Sequence, residues 1–332
     1  MQIEAIFRAL ADPTRLRIMR LLGAMELAVG ELAQVLGQSQ PRVSRHVGIL
    51  CDAGLAQRRR EGSWVFLRAA EQDTGQSALN AGIESLLSDA EREDAEFAAL
   101  CQDDRRKLNA IRSARESSAE DYFARHAADW DELRSLHSPD QTVENALRAA
   151  LGEGTLGSVL DIGTGTGRMA ELFADRSDHI VALDKSLEML RVARAKLQHL
   201  PAQQVELVQG DFSDLPFEAE RFDTVLLHQV LHFAQNPGEV LEQAATVTRE
   251  GGRIAIVDFA AHAHDEFREK HAHARLGFDD EQMIELLEDA GYALKHSEAL
   301  EGKELVVKIW LAEKGAGAQP QAHEDESLEK SA

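Results

Sequence analysis

Two periodicities alternate along this chain and divide it. Over residues 1–70 apolar positions recur in short bursts at helical spacing, then switch to a strand-like run at Trp64–Leu67. Leu16, Met19 and Leu22 share one side of a helix that starts well, because Asp12 can accept from free N–H groups and Pro13 suits a first turn. A second helix is predicted over 29–36, stopped by Gly37. A third starts with Ser39 as its N-cap, carries Pro41 in its first turn and ends before Gly54. Residues 75–115 are charged and free of proline, with Leu79, Ile83, Leu86, Ala90, Phe97 and Leu100 near helical spacing, interrupted weakly by Gly82. That stretch reads as a helical linker or a dimerisation helix. From Val159 to Leu311 apolar strand-like runs alternate with amphipathic helical ones, the pattern of a parallel sheet covered on both faces. The expected organisation is multidomain. An α+β domain at 1–70 is followed by a helical segment at 71–117 and an α/β domain at 118–314 that opens with capping helices. A Gly/Ala/Gln/Glu/Ser-rich tail at 315–332 is expected to be disordered.

The third helix is where chemistry first shows. Val43, Val47 and Leu50 fall at i, i+4 and i+7 and face the core, which leaves Gln40, Arg42, Ser44 and Arg45 outward. Side chains of that kind read base edges and hold phosphates in a major groove. Next, Arg58, Arg59 and Arg60 lead into a Glu61-Gly62 turn and the Trp64–Leu67 strand. A basic hairpin after such a helix is a wing, placed to touch the backbone or the adjacent minor groove. Three arginines alone would be a solvated charge run; their order after helix, turn, helix and glycine carries the reading. The stretches FRALADPTRLRIMRLL, ELAVGELAQVLGQSQPRVSRHVGIL and CDAGLAQRRREGSWVFL resemble the ArsR/SmtB family of winged-helix repressors. The resemblance implies a homodimer on an imperfect palindrome of double-stranded DNA, with repression released by a ligand. It also implies Gln40, Ser44 and Arg45 as base readers and Arg58–Arg60 as wing contacts. Arsenic-responsive members carry a cysteine pair in a motif of the form ELCVCDL; here ELAVGEL puts Ala28 and Gly30 at those places, and neither side chain can bind a soft metal ion. The helix after the wing also lacks histidines, so the family's other common metal site is missing.

In the second half an apolar strand runs through Val159, Leu160, Asp161 and Ile162 into Gly163-Thr164-Gly165-Thr166-Gly167 and an apparent helix from Arg168. Glycines there let the backbone approach a ligand, with helix N–H groups facing it. A second strand, 179–183, ends at Asp184, where a carboxylate can accept both ribose hydroxyls; NAD and S-adenosylmethionine (SAM) sites share that geometry. The two ligands separate at residue 168, where a dinucleotide fingerprint needs glycine and this chain has Arg168. A third strand, 205–209, leads to Gly210-Asp211-Phe212, where Asp211 can accept from an adenine amino group and Phe212 offers the ring an apolar face. A fourth strand, 222–227, ends at His228, and a fifth, 253–259, follows a Gly251-Gly252 turn. YFARHAADWDELR, VLDIGTGTGRMAELFA, VALDKSLEML, GDFSDLPFEAERFDTVLLHQVLHF and REGGRIAIVDF resemble class I SAM-dependent methyltransferases, the quinone-biosynthesis enzymes most. By that resemblance the second half is a Rossmann-like, seven-stranded sheet with its last strand, about 305–311, antiparallel. SAM or its product S-adenosylhomocysteine (SAH) is then held by Asp161, Gly163, Gly165 and Gly167 on the methionine side and by Asp184 at the ribose, with Lys185 a further cofactor-binding candidate. Asp211 and Phe212 take the adenine, and His228 closes the set.

Charge changes this picture only by its distribution. The whole chain carries −22, yet residues 1–70 carry +4. The acidic remainder helps to turn the basic face toward phosphates. Cys51 and Cys101 form neither a CxxC nor a metal-ligand spacing, which suits a reducing cytoplasm. No apolar run reaches the ~18–20 residues of a membrane span, and MQIEAIFRAL lacks the basic start and cleavage site of a secretion signal.

His228 and His232 flank the mouth after the fourth strand and are the candidate bases. His262, His264, His271 and His273 form two HAH doublets; two residues apart on a helix they point to different faces, so no metal site is expected and a polar cap over the pocket is. Tyr122 and Trp130 are expected to close the pocket from the N-terminal side. Arsenite methylation needs thiolates that this half lacks, and the NPPY, DPPY and Pro-Cys motifs of DNA methyltransferases are absent. The expectation is a DNA-binding transcriptional regulator that senses SAM or SAH, with genes of methionine and SAM metabolism as natural targets. The alternative is an active small-molecule methyltransferase that its DNA-binding domain localises or autoregulates.

Overall fold

The computed structural model describes residues 2–23, 25–61, 64–70, 77–132, 140–201, 203–302 and 304–315. Nearly all of the expected tail, the Gly62 turn position and the start of the linker lie outside the described residues. The chain forms two compact units, Met1–Asp121 with His262–Leu276, and Tyr122–Ala261 with Gly277 onward. The first unit thus takes in the expected 1–70 domain and the helical segment after it, together with 262–276.

The first unit begins with α1 (Gln2–Leu10), α2 (Pro13–Leu22), β1 (Leu27–Ala28), α3 (Val29–Leu36) and α4 (Gln40–Asp52). It continues with β2 (Ala56–Glu61), β3 (Trp64–Ala69), α5 (Ser77–Glu93) and α6 (Ala95–His126), the last reaching past the unit's end. Asp12 caps α2 as its sequence implies, accepting from the N–H groups of Thr14 and Arg15 at 2.9 and 3.2 Å. Buried Glu31 reaches back from α3 to the Ala28 N–H at 2.8 Å. Gly37, at φ 63°, ends α3 in the left-handed region. Ser39 sits at the N-cap of α4 in extended backbone, but its side chain makes no capping bond, so it marks the boundary without capping it. The three strands form an antiparallel sheet in the order β1-β3-β2. Ile18, Leu32, Val43, Leu50 and Leu67 are wholly buried beneath it, each contributing about 1.5–3 kcal/mol of burial.

The charged stretch after the wing is two helices. Asp94 breaks it, and its carboxylate caps α6 by accepting from the N–H groups of Glu96 and Phe97 at 2.9 and 3.1 Å. Ion pairs hold both helices to α2: Arg17 to buried Asp104 at 2.6 Å, and Arg20 to Glu91 at 2.8 Å, with Arg105 on the same carboxylate. The apolar stripe divides, Ile83 turning into this unit's core while Leu86 and Leu100 stay exposed.

The second unit contains α7 (Asp140–Ala150), β4 (Gly157–Ile162), α8 (Arg168–Phe173), β5 (Ser177–Asp184), α9 (Leu187–Leu197) and β6 (Val205–Gln209). After β7 (Phe222–His228), α10 (Pro237–Val247) and β8 (Thr248–Phe259), the chain makes α11 (Glu266–His271) in the first unit. It then returns for α12 (Asp280–Asp289), β9 (Tyr292–Leu300) and β10 (Val307–Lys314). The sheet order is β6-β5-β4-β7-β8-β10-β9, parallel except for β10, which runs antiparallel to both neighbours. The antiparallel last strand is the one the sequence resemblance implied. Strands buried on both faces read as unbroken apolar runs, as in Val225, Leu226 and Leu227 or Ile254, Ala255 and Ile256. Gly251 and Gly252 do not turn the chain as expected: β8 runs through them from Thr248, with Gly251 at φ 69° beside a register shift against β7. The order of strands reverses at β4, since β5 and β6 extend to one side and β7 and β8 to the other. That leaves a crevice at the carboxyl ends of β4 and β7.

Candidate functional site

The first unit's candidate surface is α4 with the wing. Val43, Val47 and Leu50 anchor α4 inward, and Gln40, Arg42, Ser44 and Arg45 are exposed on its other side. The three wing arginines are not equivalent. Arg58 and Arg60 are exposed, and the Arg58 guanidinium lies beside Gly48 of α4. Arg59 is turned to Glu26 by two bonds of 3.1 Å, with its guanidinium 5.3 Å from the Phe66 ring centroid. Alternation along a strand explains the split: neighbours on β2 face opposite sides, so Arg59 cannot share a direction with Arg58 and Arg60.

The second unit's site is assembled at the ends of β4, β5 and β6. The loop after β4 holds Gly163, Gly165 and Gly167 at φ 68°, 56° and 84°. At Gly163 a Cβ would meet Val230 at 2.3 Å, so only glycine lets β4 and the segment after β7 lie this close. Buried Asp161 accepts the Thr164 hydroxyl at 2.6 Å and braces the loop from within. Asp184, at the end of β5, accepts from the N–H of Gly165 and of Ser186, each at 2.8 Å. Backbone donors thus hold the carboxylate at the strand's end, and its remaining lone pairs are of the kind that can accept two vicinal hydroxyls. Burial pushes the Asp184 carboxyl up from its ordinary value against the pull of those N–H groups. Gly210 N–H donates to the Asp184 carbonyl at 3.1 Å, which fastens the end of β6 to the end of β5. Asp211 accepts from Ser213 N–H and hydroxyl at 2.9 and 2.7 Å and pairs with Lys185 at 3.0 Å. Burial raises the Asp211 carboxyl, but those bonds and Lys185 more than offset it and hold the carboxyl below its usual value. Phe212 is half-buried and packs on the central core. The glycine loop with the Asp184 and Asp211 carboxylates therefore offers hydrogen-bonding groups that fit SAM or SAH.

Arg168, where a dinucleotide site would need glycine, makes a two-pronged bond at 2.7 Å to buried Glu144 on α7 and braces the helix behind the loop. Over the loop, Trp130 is the nearest side chain to Gly165, at 3.6 Å from where a Cβ would stand. It belongs to an aromatic group in which Phe123 lies 5.4 Å from Trp130 and 4.8 Å from Phe233. Tyr122 sits 6.5 Å from Trp130. Asp131 accepts the Thr166 hydroxyl at 2.7 Å and pairs with Lys196, tying this segment to the loop.

The two histidine candidates differ. His228 ends β7, half-buried. His232 is 2% exposed and its Nδ1 lies 2.7 Å from the wholly buried Asp258 carboxylate, which also accepts the His232 N–H at 3.2 Å. Sequence reasoning missed Asp258; its signal was a lone acid near the end of the apolar run IAIVDF. The HAH doublets fall within the first unit. His262, His271 and His273 place their rings 5.1–5.4 Å from buried Phe267 within the first unit, because Phe267 needs an apolar surround and the returning chain supplies it. Among the described residues no three of His, Cys, Asp or Glu gather as a metal site would.

Comparison with known proteins agrees with this division. Residues 12–58 match the bacterial regulatory protein, arsR family, and residues 160–256 match the methyltransferase domain family. A demethylmenaquinone methyltransferase of Renibacterium salmoninarum is 33% identical over 110 residues, 33% of this chain and 44% of that one. A phosphatidylethanolamine N-methyltransferase of Cereibacter sphaeroides is 37% identical over 106 residues, 32% of this chain and 52% of that one. The chain spans about half the length of the curated relatives it matches. Among solved structures, the 1,6-didemethyltoxoflavin-N1-methyltransferase of Burkholderia thailandensis, with 1,6-didemethyltoxoflavin and S-adenosylhomocysteine bound, aligns at 23% identity with a TM-score of 0.49. That alignment covers 60% of this chain and 89% of the other.

Proposed function

We propose that this chain, which joins an arsR-family helix-turn-helix to a methyltransferase domain, is a transcriptional regulator that binds SAM or SAH and changes its hold on DNA accordingly. One observation carries the reading. The reader has Ala28 and Gly30 where metal-sensing thiolates would stand, while the same chain holds a complete cradle for a nucleoside ligand around Asp184 and Gly165. A ligand acts as effector only through a difference in affinity between DNA-competent and incompetent forms. α4 enters the major groove with Gln40, Ser44 and Arg45 on base edges and Arg42 on the backbone; Arg58 and Arg60 serve the wing contacts, with Arg59 behind them. Exposed Ile3, Phe7, Leu86 and Leu100 are apolar surface for a second copy, which gives a homodimer on an imperfect palindrome. The setting is the cytoplasm, and genes of methionine and SAM metabolism are the natural targets. The test is fluorescence anisotropy of labelled DNA from the gene's own upstream region, titrated with the full chain alone, with SAM and with SAH. A shift of about tenfold, ~1.4 kcal/mol, with either ligand is expected; affinity indifferent to both at saturation rejects the reading.

His232 and Asp258 favour a second reading, an active small-molecule methyltransferase with an autoregulatory DNA-binding domain. An imidazole oriented by a carboxylate through Nδ1 is equipped to take a proton from an acceptor hydroxyl or carbon acid at its other nitrogen. Bound SAM supplies an electrophilic methyl group, and the chain's own part is to align an acceptor with it. Turnover of SAM to SAH with an acceptor, lost in Asp258→Asn, supports that reading over pure sensing.

A further inference from the structure

The second half of the chain lends a length of itself to the reader. β8 ends at Phe259, residues 262–276 join the first unit, and the second unit resumes at Gly277. The two limbs are pinched at the neck. Ala261 N–H donates to the Phe278 carbonyl at 3.1 Å and His262 N–H to the Leu276 carbonyl at 2.9 Å. Gly277, at φ 78°, lies so close to Ala260 that a Cβ would stand 2.3 Å from its carbonyl oxygen.

Beyond the neck the segment grips the wing. Arg275 is 2% exposed, donates to Glu26 at 2.6 Å and lies 4.3 Å from the Phe66 ring centroid. Arg268 lies 4.7 Å from the Trp64 centroid. Trp64 and Phe66 are two apart on β3 and share a face, so one side of the wing's second strand is held by two arginines of the segment. Glu26 links the segment to the other wing strand as well, because it also takes Arg59 of β2. Burial raises the Glu26 carboxyl, yet Arg275 and Arg59 more than offset it and hold it ionised between them. At its root the segment follows directly on Asp258 and Phe259: the first holds His232 and the second lies 5.1 Å from the His232 ring.

We propose that residues 262–276 are a strap through which ligand in the SAM site acts on the wing: a ligand that shifts the His232–Asp258 end of β8 shifts the strap's root, and Arg275 and Arg268 carry that shift to β2 and β3. The strap rests on the reading that ligand alters DNA binding, and it requires two arrangements of the segment that the ligand binds unequally.

The test uses the full chain, with Arg268→Ala and, as a milder change at the buried position, Arg275→Lys. For each protein, affinity for labelled upstream DNA is measured with and without SAH, and SAH affinity by calorimetry. Amide hydrogen exchange of 56–61, 64–69 and 262–276 is followed on SAH addition. In the unaltered chain SAH is expected to change DNA affinity about tenfold and to alter exchange in both wing strands. In both variants that ratio falls below about threefold and the wing's exchange no longer responds, while SAH affinity stays within about threefold of the parent. A ratio preserved in both variants overturns the strap and leaves the regulatory reading standing. If DNA affinity ignores SAH from the start, that reading fails. The strap then survives only where SAH alters wing exchange in the parent and not in Arg268→Ala, and an unresponsive wing removes it too.

Discussion

The reader and the SAM cradle carry their chemistry in opposite ways. On α4, Gln40, Arg42, Ser44 and Arg45 lie within two turns of one helix, exposed, and aimed by the helix's register against Val43 and Val47. The cradle instead gathers Asp161, Gly165, Asp184 and Asp211 from the ends of three strands, locked by Thr164 on Asp161, Gly165 on Asp184 and Lys185 on Asp211. A surface of the first kind can change its specificity without disturbing its core. A site of the second kind cannot lose a member without moving its neighbours. Substitutions in the two regions should therefore separate binding from stability in the reader and join them in the cradle.

The largest effect should come from Gly163→Ala. The new Cβ meets Val230 at 2.3 Å and the residue is held at φ 68°, a left-handed conformation. Overpacking and backbone strain together cost about 3 kcal/mol. Calorimetry should show a thermal midpoint lower by roughly 10 °C, with SAH binding lost in parallel. A variant with an unmoved midpoint would mean that the loop is not packed as tightly as its glycine implies. Next in size is Asp184→Ala, which removes the acceptor of Gly165 N–H and, on the proposed reading, that of both ribose hydroxyls. Hydrogen bonds to a charged acceptor contribute about 1.5–3 kcal/mol each, so SAH affinity by titration calorimetry should fall roughly 100-fold or more. Retained affinity would place the nucleoside elsewhere.

The two regions also differed in how far they could be read before the fold was known. Local signals sufficed for the helices of the reader, since Asp12, Gly37 and the Val43–Val47–Leu50 spacing each act within a few residues. Strand ends at Asp184 and Asp211 were legible because a glycine or an acid closes each apolar run. The features that went unread depend on partners far along the chain. Arg59 is drawn from the wing's outer side by Glu26, Asp258 acquires its meaning from His232, and Arg168 from Glu144. The strap was the furthest from reach: HAHDEFREKHAHAR looks like a polar loop of the domain that encodes it, and Arg268 and Arg275 gain their meaning from Trp64, Phe66 and Glu26, some two hundred residues away.

A middle-sized effect sharpens the contrast inside the reader. Arg45→Ala should lower affinity for operator DNA about 10–100-fold, the 1–3 kcal/mol of a base contact, and leave the thermal midpoint where it was, because Arg45 is exposed. Arg60→Ala should instead weaken binding uniformly across sequences and reduce the salt slope by about one. Arg59→Ala should do the reverse of Arg45→Ala, moving the melting midpoint through Glu26 more than it moves the DNA affinity. If anisotropy and melting show all three arginines behaving alike, the inward turn of Arg59 is refuted.

The smallest effect tests the electrostatics of that turn. Glu26 is held below the ordinary carboxylate value because Arg275 and Arg59 outweigh the burial that raises it. A depressed carboxyl contributes stability that is fully present above its unfolded pKa, ~4.3, and is lost as pH falls through its folded value. Glu91, between Arg20 and Arg105, is also held low, so acid destabilises the whole reader and only a difference isolates Glu26. Urea unfolding of the parent and of Glu26→Gln should give a stability gap that is constant from pH 7 to about 5 and narrows below about pH 4 as the parent's carboxyl takes its proton. A gap that stays constant to pH 3 would mean that Glu26 titrates as it does in the unfolded chain. In that case its two arginines would be neighbours on the surface, not the clamp that joins Arg59 of the wing to Arg275 of the strap.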